Sequence, residues 1–435
     1  MNTKNLISRK VFAAALPVVL LALLLAAVGS PMLRSASHPE IQFTLETTTA
    51  SSASTSSPRT MFSSPLITTS LTGVLTGVGS GAVAVNPVTN LVYVANPSGH
   101  TVSVIDASTN TVIDTVRGGT QPDGIAVNPI TNMVYIADFG PTVAGFGIGK
   151  SVIAMDGSTD TIIANITVGW APEGIGVDPN TNMVYVANNA QNTVSVIDGL
   201  TNSVANTITV DWYPNSIAVN PNTNLIYAVS GWDDAVSVIS GTAIAAPNIG
   251  VGNLPAGVAI NPNTNRIYVT NARQPQGNSV TVIDGTVNLA TTINGVLNPI
   301  AVGPSPTGIG VDPNTNMIYV ANNDGTISMI NALTNVNLGN FQLGGGSAHS
   351  VAVNSDTDTV YVSTNNGNVY ALHSIVGDVN GDCKVSVVDL ATVALAYGSK
   401  PGSPNWNPNA DVTGDGIVNI IDLATVAINY GQVCM

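Results

Sequence analysis

The sequence predicts a mainly β fold, and three observations support this prediction. Charged residues make up 8% of the 435-residue chain, against about 25% in typical soluble proteins. Their place is taken by Gly, Pro, Ser, Thr and Asn, which are typical of short strands joined by tight turns. A segment of about 42 residues also recurs seven times, and each copy contains runs that alternate apolar and polar residues.

Each copy of the repeat centres on a tyrosine that follows a turn of the form Asn-Pro-x-Thr-Asn or a variant of it. Proline presets the dihedral φ of this turn, and we expect the asparagine side chains to bond local backbone. The tyrosines are 42, 50, 42, 41, 51 and 42 residues apart, at Tyr93, Tyr135, Tyr185, Tyr227, Tyr268, Tyr319 and Tyr361. Each copy predicts four short strands, which form one blade of a β-propeller.

The two ends of the repeat array predict a closed ring. The seventh copy stops after its third strand, at residues 368–372, and no fourth strand follows. Residues 66–79 precede the first copy and resemble the missing outer strand. Pairing of this segment with the seventh blade would remove the exposed edges of a linear array. We therefore predict a seven-bladed propeller of four-stranded blades over residues 66–373, with an open β-solenoid as the alternative.

The segments Tyr185-Val186-Ala187-Asn188 and Tyr268-Val269-Thr270-Asn271 carry a signature by which the repeats resemble the YVTN family of β-propeller repeats. This resemblance implies a secreted or cell-surface protein. It implies a fold and no particular activity, because some propellers bind ligands, others act as scaffolds for protein complexes, and a few are enzymes. The repeats show no catalytic constellation of acids, histidines or metal ligands, since His100 and His349 fall in different blades.

The first residues of the chain predict export. Basic residues precede an apolar run over residues 11–28, which is followed by small residues, as in a secretory signal. Because the run is also long enough to cross a bilayer, residues 1–30 are either a signal peptide or an N-terminal membrane anchor. Residues 31–65 are rich in Ser and Thr and predict a disordered linker. A net charge of −14 disfavours nucleic acid as a partner.

Aromatic and acidic residues predict a ligand face on the propeller. Loops that join the fourth strand to the next blade, and the second strand to the third, emerge on one face of the ring. Three of the four tryptophans map to such loops beside carboxylates, an arrangement that suits a sugar ring or a protein partner. The predicted face consists of Trp170, Glu173, Trp212, Tyr213, Trp232, Asp233 and Asp234. The alternative is that these aromatic residues only pack against one another.

Two twelve-residue segments near the C-terminus predict sites for two calcium ions. Oxygen-bearing side chains recur at positions 1, 3, 5, 9 and 12, and position 7 would contribute a backbone carbonyl. Each loop runs into an apolar helix that we expect to end at Gly398 or Gly431. The predicted ligands are Asp378, Asn380, Asp382, Lys384, Ser386 and Asp389 in the first loop, and Asp411, Thr413, Asp415, Ile417, Asn419 and Asp422 in the second.

The two loop–helix segments resemble a dockerin domain, because no amphipathic helix precedes either loop and position 12 is Asp instead of Glu. We assign this small α domain to residues 374–435. The resemblance implies a calcium-folded module that docks onto a cohesin-like protein or a neighbouring surface protein outside the cell. The family's recognition positions fall on Val387, Val388, Ala394, Leu395, Ile420, Ile421, Ala427 and Ile428. The same residues could equally be buried against the propeller.

Both cysteines of the chain, Cys383 and Cys434, lie in the dockerin-like segment. In an exported chain an even pair predicts a disulfide, with two free thiols as the alternative. Such a bond would join the first loop to the C-terminus and stabilise the fold by about 4 kcal/mol.

Three functional hypotheses follow from these predictions. The leading one is a non-catalytic exported protein whose propeller presents a ligand face and whose C-terminal module docks it in a calcium-dependent manner. The second is a polysaccharide lyase or glycoside hydrolase that uses the acids Asp123, Glu173, Asp233 and Asp234. The third treats the calcium module as a purely structural cap of the ring.

Overall fold

The computed structural model describes residues 66–71, 81–143, 146–273, 278–293, 296–374, 377, 379, 385–400, 402–407, 410–413 and 416–431. The predicted signal or anchor and the predicted linker, residues 1–65, lie outside the described residues. The chain divides into two compact units, of which one is Thr68–Ser374 and the other contains Ile375–Met435. Among the described residues, no helix is both long and apolar enough to cross a bilayer.

The larger unit is a ring of seven antiparallel sheets, which confirms the predicted propeller of four-stranded blades; in blade 5 two short strands share the place of the fourth. The chain begins with β1 (Leu66–Leu71). Blade 1 then comprises β2 (Val83–Asn86), β3 (Leu91–Asn96), β4 (Thr101–Asp106) and β5 (Thr111–Arg117). Blade 2 comprises β6 (Pro122–Asn128), β7 (Met133–Asp138), β10 (Ser151–Asp156) and β11 (Thr161–Thr167), with the short strands β8 (Thr142–Val143) and β9 (Phe146–Gly147) inserted before β10.

The third and fourth blades have no inserted strands. Blade 3 comprises β12 (Pro172–Asp178), β13 (Met183–Asn188), β14 (Thr193–Asp198) and β15 (Ser203–Thr209). Blade 4 comprises β16 (Pro214–Asn220), β17 (Leu225–Ser230), β18 (Ala235–Ser240) and β19 (Ala243–Gly250).

The fifth blade has a divided outer edge, where two short strands pair with the same neighbour. Blade 5 comprises β20 (Pro255–Asn261), β21 (Arg266–Asn271) and β22 (Ser279–Asp284), whose outer partners are β23 (Leu289–Ala290) and β26 (Ile300–Ala301). Between those partners lies a hairpin of β24 (Thr292–Ile293) and β25 (Val296–Leu297). The hairpins in blades 2 and 5 account for the two longer spacings between tyrosines.

The last two blades complete the ring. Blade 6 comprises β27 (Pro306–Asp312), β28 (Met317–Asn322), β29 (Thr326–Asn331) and β30 (Val336–Gln342). Blade 7 comprises β31 (Ala348–Asn354), β32 (Thr359–Thr364) and β33 (Val369–Ser374). Strand β1 pairs with β33 as its fourth strand, which confirms the predicted closure by the N-terminal segment.

The tyrosine of each repeat belongs to the core between blades. All seven tyrosines are exposed by 2% or less. Tyr93 of blade 1, for example, packs in one cluster with Ile125 and Ile136 of blade 2. Burial of an aromatic ring against a neighbouring sheet gives each blade boundary a large apolar contact. The period of the sequence therefore reflects the contact between blades.

The Asn-Pro-x-Thr-Asn turn joins adjacent blades. The Asn128 side chain accepts a bond from the Ile130 amide at 3.0 Å and donates to Asn182 Oδ1 of the next blade at 2.7 Å. The sequence predicts the local bond, whereas the bond between blades depends on the tertiary structure. Within the described part of the chain, the same asparagine–asparagine bond occurs at four further blade boundaries. It joins Asn86 to Asn132, Asn220 to Asn265, Asn261 to Asn316, and Asn354 to Asn90.

A buried asparagine at the end of the second strand connects it to the third strand. Asn188 donates to Thr193 Oγ1 at 3.0 Å and Ser195 Oγ at 2.9 Å, and accepts from the Gly169 amide at 3.0 Å. Asn96, Asn271 and Asn322 make equivalent bonds to two hydroxyl groups of the following strand. These bonds explain why third strands begin with hydroxyl residues at alternate positions.

The C-terminal unit contains two helices that begin in the same way. They are α1 (Val387–Ala396) and α2 (Ile420–Ile428), and both begin inside the predicted twelve-residue loops. The reason is a capping box, in which position 9 of each loop caps the helix and the carboxylate at position 12 bonds back to it. The predicted glycines lie just beyond the helix ends, at φ +77° for Gly398 and +89° for Gly431.

The two halves of this unit are bound to each other in a reciprocal manner. The Gly398 amide, after α1, donates to the Val418 carbonyl at 2.8 Å, and the Gly431 amide, after α2, donates to the Val385 carbonyl at 2.8 Å. A shared apolar core lies between the helices. It consists of Val379, Val385, Leu390, Val393, Ala396, Ala410, Val418, Leu423 and Val426.

Candidate functional site

The position-12 carboxylates of the predicted calcium loops are buried and occupy matching places. Asp389 accepts from the Val379 amide at 2.8 Å and from the Ser386 amide at 2.8 Å. Asp422 accepts from the Thr413 amide at 2.9 Å and from the Asn419 amide at 2.7 Å. Each carboxylate thus binds two separate parts of its own loop. Both side chains have no exposed surface, so their charge requires donors or a cation.

The second loop turns at the predicted position. Asp411, at position 1, accepts from the Gly416 amide at 2.9 Å, and Gly416 has a φ of +84°, which glycine adopts without steric cost. The described predicted ligands are Ser386, Asp389, Asp411, Thr413, Ile417, Asn419 and Asp422. They offer only oxygen donors, which fits a hard cation such as calcium. Asp378, Asn380, Asp382, Lys384 and Asp415 lie outside the described residues, as do Cys383 and Cys434.

Apolar side chains stand exposed at the start of both helices. Val387 and Val388 are each exposed by 51%, and Ile420 and Ile421 by 47% and 57%. Leu395 and Ile428, near the two helix ends, are also exposed, whereas Ala394 and Ala427 are half-buried. The exposed residues of one half repeat those of the other at equivalent positions.

Two of the predicted ligand-face tryptophans lie in one cluster on the propeller. The rings of Tyr213 and Trp232 stack with centroids 4.9 Å apart, and the Trp212 amide donates to Asp233 Oδ2 at 2.7 Å. Trp212 and Trp232 remain 60% and 68% exposed. This aromatic cluster of Trp212, Tyr213 and Trp232 therefore offers flat apolar surface to solvent.

The third tryptophan has a different partner. The ammonium group of Lys150 lies 3.5 Å from the centroid of the Trp170 ring, in a cation–π contact. The Trp170 amide donates to Gln191 Oε1 at 3.0 Å. Trp170 is thus fixed by residues of blades 2 and 3, and its exposure of 39% is lower than that of the other two tryptophans.

The four acids predicted for an enzyme do not gather in one place. Asp233 and Asp234 accept bonds from the backbone amides of Trp212 and Leu254, so they hold loops. Asp123 and Glu173 instead line a cavity of about 350 Å³ formed by the first strands of the blades. Of the four predicted acids, only these two share a pocket.

Burial changes the acidity of the two cavity carboxyls. Burial, followed by the negative charge of Asp123, raises the pKa of Glu173 well above its usual range, although a bond from Asn189 Nδ2 at 2.8 Å opposes the shift. Burial also raises the pKa of Asp123, against the opposing influence of His349. The cavity therefore holds two carboxyls that interact electrostatically.

Comparisons with known proteins identify the C-terminal module. Residues 376–429 match the dockerin type I domain. Dockerin domains of this type generally bind calcium and cohesin partners, and they are typical of extracellular or cell-surface proteins. No curated protein matches the chain. The match of the family model does not extend to the repeats, so the resemblance to the YVTN family stays a prediction.

A solved structure supports the fold of the larger unit. The chain is similar to Kuenenia stuttgartiensis hydrazine synthase, with a TM-score of 0.59 and 19% sequence identity over 68% of this chain and 96% of that chain. At this level of identity the similarity concerns the fold alone. The dockerin domain therefore provides the more specific functional information.

Sequence reasoning missed the cavity because its residues lie far apart along the chain. His349 belongs to the seventh repeat, far along the chain from Asp123 and Glu173, yet it lines the cavity together with them. One signal could have revealed this arrangement. All three residues come second in their first strand, directly after Pro122, Pro172 and Ala348.

Proposed function

We propose that this chain is an exported, non-catalytic binding protein that its dockerin domain attaches to a cohesin-like partner in the presence of calcium. One observation carries the proposal. The dockerin domain exposes an apolar pair at the start of each helix, Val387 with Val388 and Ile420 with Ile421. Apolar side chains that solvent surrounds in a small domain are suited to the core of a protein interface.

Calcium supports this role through folding of the domain. The ligands proposed for the second loop include Asp411 and Asp422, which also bond the backbone of that loop. A metal site that is absent from the unfolded chain contributes its binding free energy to folding. We expect calcium to order the loops and hence to fix the helices that carry the apolar pairs. Two bound ions are proposed, one for each loop.

The propeller contributes the second half of the proposed function. Its aromatic cluster offers two exposed indole rings beside the carboxylate of Asp233. Indole rings stack on the apolar faces of sugars, and carboxylates accept bonds from sugar hydroxyls. We propose that this cluster binds a carbohydrate or the surface of a neighbouring protein while the dockerin domain anchors the chain.

Catalysis is left out of the proposal for a specific reason. The enzyme hypothesis uses four acids, and Asp233 and Asp234 are engaged with loop amides outside the cavity. The hypothesis of a structural cap stays a prediction. Loss of cohesin affinity on mutation of the exposed apolar pairs would favour docking over that alternative.

Calorimetric titration of the full chain with purified cohesins tests the docking proposal. We expect binding in calcium and none in excess EDTA. Replacement of the apolar residues in both helices, Val388→Asp with Ile421→Asp, should weaken binding at least tenfold, because a carboxylate in the interface core would lose its hydration. Trp232→Ala is the matched control on the propeller and should leave cohesin affinity unchanged.

The same variants test the propeller half on a glycan array. Trp232→Ala should abolish glycan binding, and the double dockerin variant should retain it. Retained calcium binding by the double variant shows that its dockerin domain is folded. Cohesin affinity that does not respond to calcium or to the double substitution would contradict the proposal.

A further inference from the structure

The centre of the propeller holds a cavity whose lining differs from blade to blade. It has a volume of about 350 Å³, and the first strand of every blade contributes to its wall. The second residue of these strands is Asp123 in blade 2, Glu173 in blade 3, Asn215 in blade 4, Thr307 in blade 6 and His349 in blade 7. Polar side chains are therefore brought together by the ring.

The charge of the cavity is unbalanced. Asp123, Glu173 and His349 are the titratable residues of its wall, and no Lys or Arg contributes to it. Blade 1, between the blades of His349 and Asp123, has Gly81 at the corresponding place and so contributes no side chain there. The imidazole and the two carboxyls thus lie on blades 7, 2 and 3, and blade 1 contributes no side chain at the equivalent place between them.

The wall also has an excess of hydrogen-bond acceptors. Among the described residues, none donates a bond to the Asp123 carboxylate, and Glu173 receives one from Asn189. Two further buried atoms of the wall, Asn215 Oδ1 and His349 Nδ1, have no hydrogen-bond partner within the described part of the chain. A buried polar atom without a partner destabilises the fold, and such atoms in a native structure point to a role.

We propose that this cavity binds a small organic cation through a primary ammonium group. An ammonium group offers three N–H donors and one positive charge, which matches an acceptor-rich wall with two carboxyls. Asp123 and Glu173 supply the opposite charge, Asn215 Oδ1 is a further acceptor, and His349 Nδ1 accepts in the tautomer that carries its proton on Nε2. All residues of this site belong to the propeller, and none belongs to the aromatic cluster.

Other ligand classes fit the cavity less well. An inorganic anion would meet two carboxyls and no Lys or Arg side chain. The described residues contain no group of three His, Cys, Asp or Glu side chains that could hold a metal ion. A neutral sugar would supply hydroxyl donors, but it carries no positive charge and so would gain only hydrogen bonds from the paired carboxyls.

Titration of the full chain with 1,4-diaminobutane tests the proposal. It is done in saturating calcium and at physiological salt, so that the dockerin loops and surface charges do not compete with the cavity for the diamine. We expect one diamine per chain and at least tenfold weaker binding of the neutral isostere 1,4-butanediol. Binding should release protons, because the ammonium group favours the ionised carboxyls. The heat of binding should therefore change with the ionisation enthalpy of the buffer.

Variants locate the diamine in the cavity. Glu173→Gln and Asp123→Asn should each weaken diamine binding at least tenfold, whereas Asp233→Asn on the outer loops should change it less than twofold. Glu173→Gln retains an acceptor for Asn189, and an unchanged melting temperature verifies that the variant is folded. His349→Ala is a further cavity variant whose diamine affinity is measured in the same way. Three outcomes would overturn the proposal. The first is equal affinity for the diamine and the diol, and the second is diamine affinity that the cavity variants do not change. The third is glycan hydrolysis that Glu173→Gln abolishes.

Discussion

Asp312 and Asp358 place two carboxyl groups within hydrogen-bonding reach of each other at the boundary between blades 6 and 7. Five other boundaries use an asparagine amide as donor at this place. Two carboxyls can form such a bond only when they share a proton. Burial, followed by the charge of Asp312, raises the pKa of Asp358 to about 6.

Asp358→Asn should stabilise the propeller at neutral pH. Because the folded-state pKa of Asp358 is raised, its stabilising contribution is complete below about pH 4 and is lost as the pH rises through about 6. Asparagine would supply an amide donor at every pH, and its tolerance of a positive φ suits a position with φ +51°. Partial exposure screens the carboxyl, so we expect a gain on the order of 1 kcal/mol at pH 7.

Differential scanning calorimetry at pH 5 and pH 7 in saturating calcium measures this effect. The difference in stability between variant and parent should be large at pH 7 and small at pH 5. Asp356→Asn, two residues away and exposed, is the matched control and should change neither value. A variant that is less stable than the parent at pH 7 would contradict the proposed role of the shared proton.

Gly124→Ala should destabilise the ring strongly. A Cβ at this position would overlap the carbonyl oxygen of Glu173 in the next blade, so the first strands of blades 2 and 3 would have to separate. Overpacking of this kind costs about 1–3 kcal/mol or more. Gly250→Ala is the control, because a Cβ there meets no atom within 4 Å. Urea unfolding should show a lower midpoint for Gly124→Ala and an unchanged midpoint for Gly250→Ala. Equal midpoints for the two variants would contradict the close approach of the first strands of blades 2 and 3.

Asn188→Ala should be among the more damaging polar substitutions. It removes the partner of the Gly169 amide and of the hydroxyls of Thr193 and Ser195, in a site with no exposed surface. Unpaired buried groups cost about 1–3 kcal/mol, and we expect a loss of about 2–3 kcal/mol in the free energy of unfolding. Asn206→Ala removes an exposed bond to the Thr242 carbonyl and should cost little. Similar losses in the two variants would argue against the importance of burial.

Asp422→Asn should weaken the second proposed calcium site. The substitution keeps an oxygen but removes the charge that a hard cation attracts, so we expect calcium affinity of this loop to fall at least tenfold. Titration of EDTA-treated protein should then detect one tight ion in place of two. Thr425→Ala, whose hydroxyl bonds the Ile421 carbonyl within α2, is the control outside the loop. Two tight ions in the Asp422→Asn protein would remove Asp422 from the ligand set.

Local pattern was sufficient for the architecture. The spacing of tyrosines such as Tyr93 and Tyr135, the proline turns and the unpaired third strand of the last repeat predicted seven blades and closure by the N-terminal strand. These features are encoded within each repeat, because alternation and turn residues act over a few positions. The same holds for the loop–helix pattern that predicted the dockerin domain.

The sequence by itself determined the blades, their number and the oxygen-rich loops, since each depends on neighbours along the chain. Only the tertiary structure decided that His349, Asp123 and Glu173 share one cavity, and that Asp312 meets Asp358 across a blade boundary. The physical reason is ring closure. It brings the last blade beside the first, so that residues at equivalent places in distant repeats become neighbours, whatever separates them in sequence.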